Sequence, residues 1–164
     1  MIYKIRVILD SEEDVFRDIA IEGQSTLEDF HNIITQAFGF LGNEMASFYT
    51  CDERWNQEEE IALFDMEDGG SAIRLMKETL IADLLTEDTP KLIYVYDFLS
   101  MWTFFVELAD VEERQNGLIY PMVLFSFGEL PDAPTEKKFE ADPTFDFEEP
   151  LDSYGDLDFD ENWN

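Results

Sequence analysis

The chain has 164 residues, 45% of them hydrophobic and 15% aromatic, which suits one domain able to bury its own core. It carries 39 acidic against 10 basic residues, for a formal net charge of −29. Counterion release needs clustered Lys and Arg, and these are scattered, so the composition argues against direct binding to nucleic acid phosphates or anionic membranes.

The charge fits a basic protein partner, and it also serves plain solubility. The single Cys51 excludes an internal disulfide and fits a reducing compartment. The N-terminus, MIYKIRVILDSEED, turns acidic after a short apolar run and shows no signal cleavage pattern. No apolar stretch approaches the roughly 18 residues a membrane helix needs. A soluble cytoplasmic protein is expected.

Ile2 to Leu9 alternates apolar positions with Lys4 and Arg6, as an opening strand would. Ser11 to Asp14 is a polar turn, and Val15 to Ile21 returns, so the two predict a β-hairpin ended by Gly23. The clearest helix follows. Ser25 and Glu28 have the S-x-x-E spacing of a capping box. Leu27, Phe30, Ile33, Ile34, Ala37 and Phe38 then form a core-facing stripe, with Gly39 as the stop. A helix over about Thr26 to Phe38 is predicted.

Met45 to Cys51 reads as a strand, Asp52 to Glu60 as a charged loop, and Asp68-Gly69-Gly70-Ser71 as a flexible break. Thr79 is placed to cap a short helix holding Leu80, Ile81, Leu84 and Leu85, ended before Pro90. Lys91 to Ala109 is the longest run of β-formers and predicts a central hairpin. Its first strand is apolar on both faces, which calls for a helix layer or second sheet over the face that would otherwise meet water. In its second strand Trp102, Phe104, Val106 and Leu108 share one face. Ile119 to Phe127 forms a last strand, with Pro121 near its start.

From Gly128 the composition shifts. Residues 129 to 164 hold 13 acidic residues, two Lys and four Pro, with aromatic residues spaced singly among them. No helical or strand period covers this stretch, so it reads as an irregular acidic tail. The expected organisation is an α+β domain over 1–128 and a tail over 129–164. The domain is a mostly antiparallel sheet packed on one main helix plus short helices.

Four short motifs occur in order. They are Thr26-Leu27-Glu28-Asp29-Phe30-His31 running to Ala37-Phe38-Gly39-Phe40; Ser47-Phe48; Tyr94-Val95-Tyr96-Asp97-Phe98 with Trp102; and Tyr120-Pro121. Together they resemble the plasmid pRiA4b ORF-3-like family, over much of residues 1 to 130 and none of the tail. The resemblance implies an α+β domain on an antiparallel sheet and carries no established activity with it. Leu99 and Ser100 stand where the family motif has Gly-Asp. The His that often precedes the Ser-Phe strand is missing, with Met45 and Ala46 in that neighbourhood.

His31, Tyr96, Asp97 and Trp102 are the candidate functional or structural motif residues. His31 is the only histidine, so a catalytic triad has one base to draw on; its plain reading is a half-buried or surface helix residue. Asp97 lies in an apolar strand, where it accepts backbone N–H groups of the following turn or serves as a buried acid. The structural reading is favoured. Cys51 is followed by Asp52 and Glu53, which disfavour a thiolate. One His and one Cys exclude a zinc site of Cys/His type. Asp156, Asp158 and Asp160 imitate the start of an EF-hand loop, but Glu161 stands where Gly is needed. No P-loop, dinucleotide fingerprint or nucleophile elbow occurs. No catalytic residue, metal ligand or cofactor is assigned. The expected function is a non-enzymatic interaction module, whose acidic surface and tail take a basic or hydrophobic partner. Nucleic-acid mimicry is one version. The alternative is a small-molecule or metal-assisted enzyme with a carboxylate site near Asp97.

Overall fold

The computed structural model describes residues 1–64 and 74–134. The Asp68 to Ser71 break and most of the tail, with its Asp156 to Asp160 run, lie outside the described residues. In chain order the elements are β1 (Ile2–Leu9), β2 (Phe16–Glu22), α1 (Leu27–Phe38), β3 (Ala46–Cys51), β4 (Gln57–Ala62) and β5 (Arg74–Leu75). They continue with a 3-10 turn at Met76–Glu78, α2 (Ile81–Leu84), β6 (Lys91–Tyr96), β7 (Trp102–Glu112) and β8 (Met122–Phe127).

All eight described strands join one sheet in the order β5-β4-β3-β6-β7-β1-β2-β8, antiparallel except for the β4–β5 pair. The fold is α+β, as expected. The β6–β7 hairpin sits in the middle of the sheet, because its strands carry the longest run of large apolar side chains. One face is set by alternation. Ile5, Val7 and Leu9 of β1, Leu92, Tyr94 and Tyr96 of β6, and Phe104 and Val106 of β7 are all buried there. Leu27, Phe30, Ile34 and Phe38 of α1 complete that core. Phe30 stacks on Phe48 and Phe38 packs on Phe104. Each fully buried side chain of this size contributes about 1.5–3 kcal/mol of transfer free energy.

Several boundaries differ from the sequence reading. The capping box is Thr26 and Asp29, one residue later than expected: Asp29 N donates to Thr26 Oγ1, and Thr26 N donates to Asp29 Oδ2. The cause is tertiary. Thr26 bridges Leu80, and the Ser25 carbonyl accepts from Ile81 N, which fixes Ser25 outside the helix. Gly39 ends the helix in the left-handed region, at φ 86°.

The Asp52 to Glu60 stretch is not a loop throughout. Asp52 takes three hydrogen bonds from Arg54 and Asn56 in a tight turn, and β4 starts at Gln57. An edge position tolerates its run of Glu, because that end of the strand faces water. Thr79 does not cap α2, since its hydroxyl donates to the Leu75 carbonyl; Asp83 takes the Leu80 N–H instead. The last strand starts at Met122, after a cis Tyr120–Pro121 bond. Among the described residues no helix layer or second sheet covers the second face of β6: Trp55, from the β3–β4 turn, lays its ring on Phe105, which pairs with Ile93.

Beyond β8 the chain turns at Gly128, where a Cβ would meet the Asp14 carbonyl at 2.5 Å. Leu130 then packs on the core.

Candidate functional site

The four motif residues converge at one end of the sheet, where the C-terminal half of α1 lies over β6 and β7. Tyr96 and Trp102 are cross-strand partners, and Phe40 joins them, 4.4 Å from the Tyr96 ring and 5.4 Å from Trp102. Tyr96 OH accepts from Gly42 N, which fastens the loop after α1 to the sheet. The local sequence explains this. Gly39 stops the helix, so Phe40 and Gly42 fold back onto the strand end.

His31 is 2% exposed and belongs to the core, not to the half-buried or surface position expected of it. Its Nδ1 lies 2.6 Å from Tyr94 OH. Burial lowers its pKa to about 4, so the imidazole is neutral at pH 7. Burial also raises the Tyr94 pKa well above its ordinary value, so the phenol stays protonated. The pair is a satisfied buried hydrogen bond.

Asp97 stands just past β6, not inside a strand, with φ 64°. Its N–H donates to the Met45 carbonyl, its Oδ1 accepts from Leu99 N at 3.2 Å, and its carbonyl accepts from Ser100 N. These bonds make it the organiser of the β6–β7 turn. Met101 closes the turn with a second positive φ, so the turn forms although Leu99 and Ser100 replace the family's Gly-Asp.

The buried framework holds an apolar rim in water. Leu99 is 97% exposed and Leu41 89%, on the two loops fastened by Asp97 and Tyr96. Phe98, Met101 and Phe64 are exposed beside them on the same sheet end. Leucines as exposed as Leu41 and Leu99, on loops held by hydrogen bonds, suit contact with a partner.

Arg17 is the residue sequence reasoning passed over. It is 8% exposed, and its guanidinium donates to the carbonyls of Ala37, Phe16 and Phe127 while lying over the Phe38 ring. Burial lowers its pKa, and the charge of Glu129 opposes that. Its phase with Ile19 and Ile21 in β2 was the available signal. Cys51 has a thiol pushed up by burial, with Asp52 and Glu58 adding to that and Lys91 opposing it. Among the described residues no group of His, Cys, Asp and Glu is arranged to hold a metal ion, and no helix is long and apolar enough to cross a membrane.

A half-open cavity of about 410 Å³ lies elsewhere, on the face away from α1, lined by Lys4, Arg6, Asp18, Glu107, Ala109 and Leu124 among others. The register slips at Lys4/Ile5 and Asp18/Ile19 leave Ala109 and Leu124 as extra residues at its two sides. Both of its cations pair, Arg6 with Asp18 and Lys4 with Glu112.

Fold and site together define an α+β domain whose single sheet carries a buried aromatic framework and an exposed apolar rim. The family model described as plasmid pRiA4b ORF-3-like protein matches residues 1–136, and the chain belongs to that family. A solved structure of a protein of unknown function from Methanosarcina mazei Go1 is similar, with a TM-score of 0.67 at 20% identity. The likeness covers 76% of this chain and 68% of that one, and it shows the fold. Among curated proteins no sequence matches this chain significantly.

Proposed function

We infer that this chain is a non-enzymatic, cytoplasmic interaction module, whose acidic surface and tail take a basic or hydrophobic protein partner. One observation carries the reading: Leu41 and Leu99 stand almost fully in water on loops fixed by Tyr96 and Asp97. Exposed leucines on braced loops lose little conformational freedom on binding. Mimicry of nucleic acid, by occupying a basic surface of the partner, is the version that the net charge of −29 supports.

The test is capture from host lysate with full-length protein and with its Leu41→Ser/Leu99→Ser variant, at low and high salt. A protein held by the first and lost by the second supports the module. Capture of the same proteins by both removes its basis.

The alternative, an enzyme with a carboxylate site near Asp97, has a separate test in Asp97→Asn. Loss of a screened activity with the melting temperature unchanged would favour it. A stability loss without lost activity leaves Asp97 as a turn residue.

A further inference from the structure

Among the described residues, four cations lie towards one end of the sheet. Lys4 and Lys91 sit near the starts of β1 and β6, and Arg54 and Arg114 lie on the connections at that same end. Arg6 is held in mid-strand by Asp18, and Arg74 by Glu59 at the β5 edge. Towards the rim end, Arg74 pairs with Ile61 on the outer β5 edge, the exposed Lys77 follows it, and Arg17 of β2 is buried. Its guanidinium is spent on carbonyls.

Acids lie at both ends of the sheet, Glu22, Asp52, Glu53 and Glu112 among them at the other, and the rim end has its own set. Glu12, Glu13 and Asp14 occupy the β1–β2 turn, Glu44 the loop after α1, Asp97 the β6–β7 turn, and Glu129 the start of the tail. Asp10 N donates to the Thr103 carbonyl, so the β1–β2 turn lies beside the β6–β7 turn that carries Leu99. Leu41 and Leu99, with these acids around them, are complementary to one chemistry. Pure cations would leave Leu41 and Leu99 wet, and a purely apolar segment would strip water from the surrounding carboxylates without replacing it.

We propose that the rim end is the docking surface for a basic amphipathic segment of a partner protein, its apolar side chains on Leu41, Phe98, Leu99 and Met101, its Lys and Arg on the acids around them. This rests on the interaction reading above and names the surface and the partner's chemistry.

The test uses full-length protein and two labelled peptides of equal charge, one alternating Leu and Lys in an amphipathic helical pattern, the other with Ser in place of Leu. Fluorescence anisotropy is followed against salt. The Leu/Lys peptide is expected to bind roughly tenfold more tightly than the Ser/Lys peptide. Leu41→Ser/Leu99→Ser is expected to erase that preference, and added salt to weaken both peptides. Phe125→Ser, in β8 and away from the rim, is expected to keep it. Equal binding of the two peptides, or a preference that survives the double variant, overturns the proposal. Near-ultraviolet circular dichroism checks that the variants are folded. Failure here, with Leu41- and Leu99-dependent capture from lysate intact, leaves the interaction reading standing and discards only the basic amphipathic partner. Failure of both discards the two together.

Discussion

His31 Nδ1 lies 2.6 Å from the hydroxyl of Tyr94, in the core between α1 and β6. The two residues are 63 positions apart in sequence. The bond makes the chain's only histidine a stability element with a defined pH dependence.

Folding lowers the His31 pKa from 6.5 to about 4. The unfolded chain therefore binds a proton more readily than the folded one between these values. The contribution is fully present above pH 6.5 and is lost as pH falls towards 4, by up to about 3 kcal/mol. His31→Gln should flatten this part of the stability profile relative to the parent. Urea unfolding of both proteins from pH 7 to 4 checks it, and parallel profiles would count against the burial argument.

Arg17 binds the last turn of α1, its own strand and β8 through three carbonyls. Arg17→Met leaves the Ala37 and Phe127 carbonyls without this donor, at a cost of about 2–4 kcal/mol. Arg17→Lys keeps the charge but cannot span the same carbonyls, so it should recover only part of that loss. Thermal melts of the two variants give the order. Hydrogen exchange should show protection lost first in β8, because Arg17 is one of that edge strand's links to the helix layer.

Ser25 and Thr26 are both good capping residues, and the structure chooses between them. Thr26→Ala should cost about 1 kcal/mol, since Asp29 N loses its acceptor. Ser25→Ala should cost only a few tenths, because Ser25 acts through its backbone. Equal losses would mean that the helix start is not fixed by the Thr26–Leu80 bridge.

The periodicities were legible in the chain. Alternation in β1, β6 and β7, the apolar stripe of α1 and its Gly39 stop each depend on local geometry, which the sequence by itself determines. So does the central place of the β6–β7 hairpin, because a strand apolar on both faces has nowhere stable at an edge. The resemblance to the family rested on the same local motifs. Tertiary structure decided what depends on partners distant in sequence. His31 reads as a half-buried or surface helix residue until Tyr94 is placed beside it. Arg17 reads as a polar strand residue until Ala37 and Phe127 present their carbonyls. The capping register follows Leu80 and Ile81, more than 50 residues away. Asp97 became a turn organiser because Met45 holds its backbone. The exposure of Leu41 and Leu99 also belongs to this class: burial is set by what packs against a side chain, and the side chain's own hydrophobicity does not reveal it.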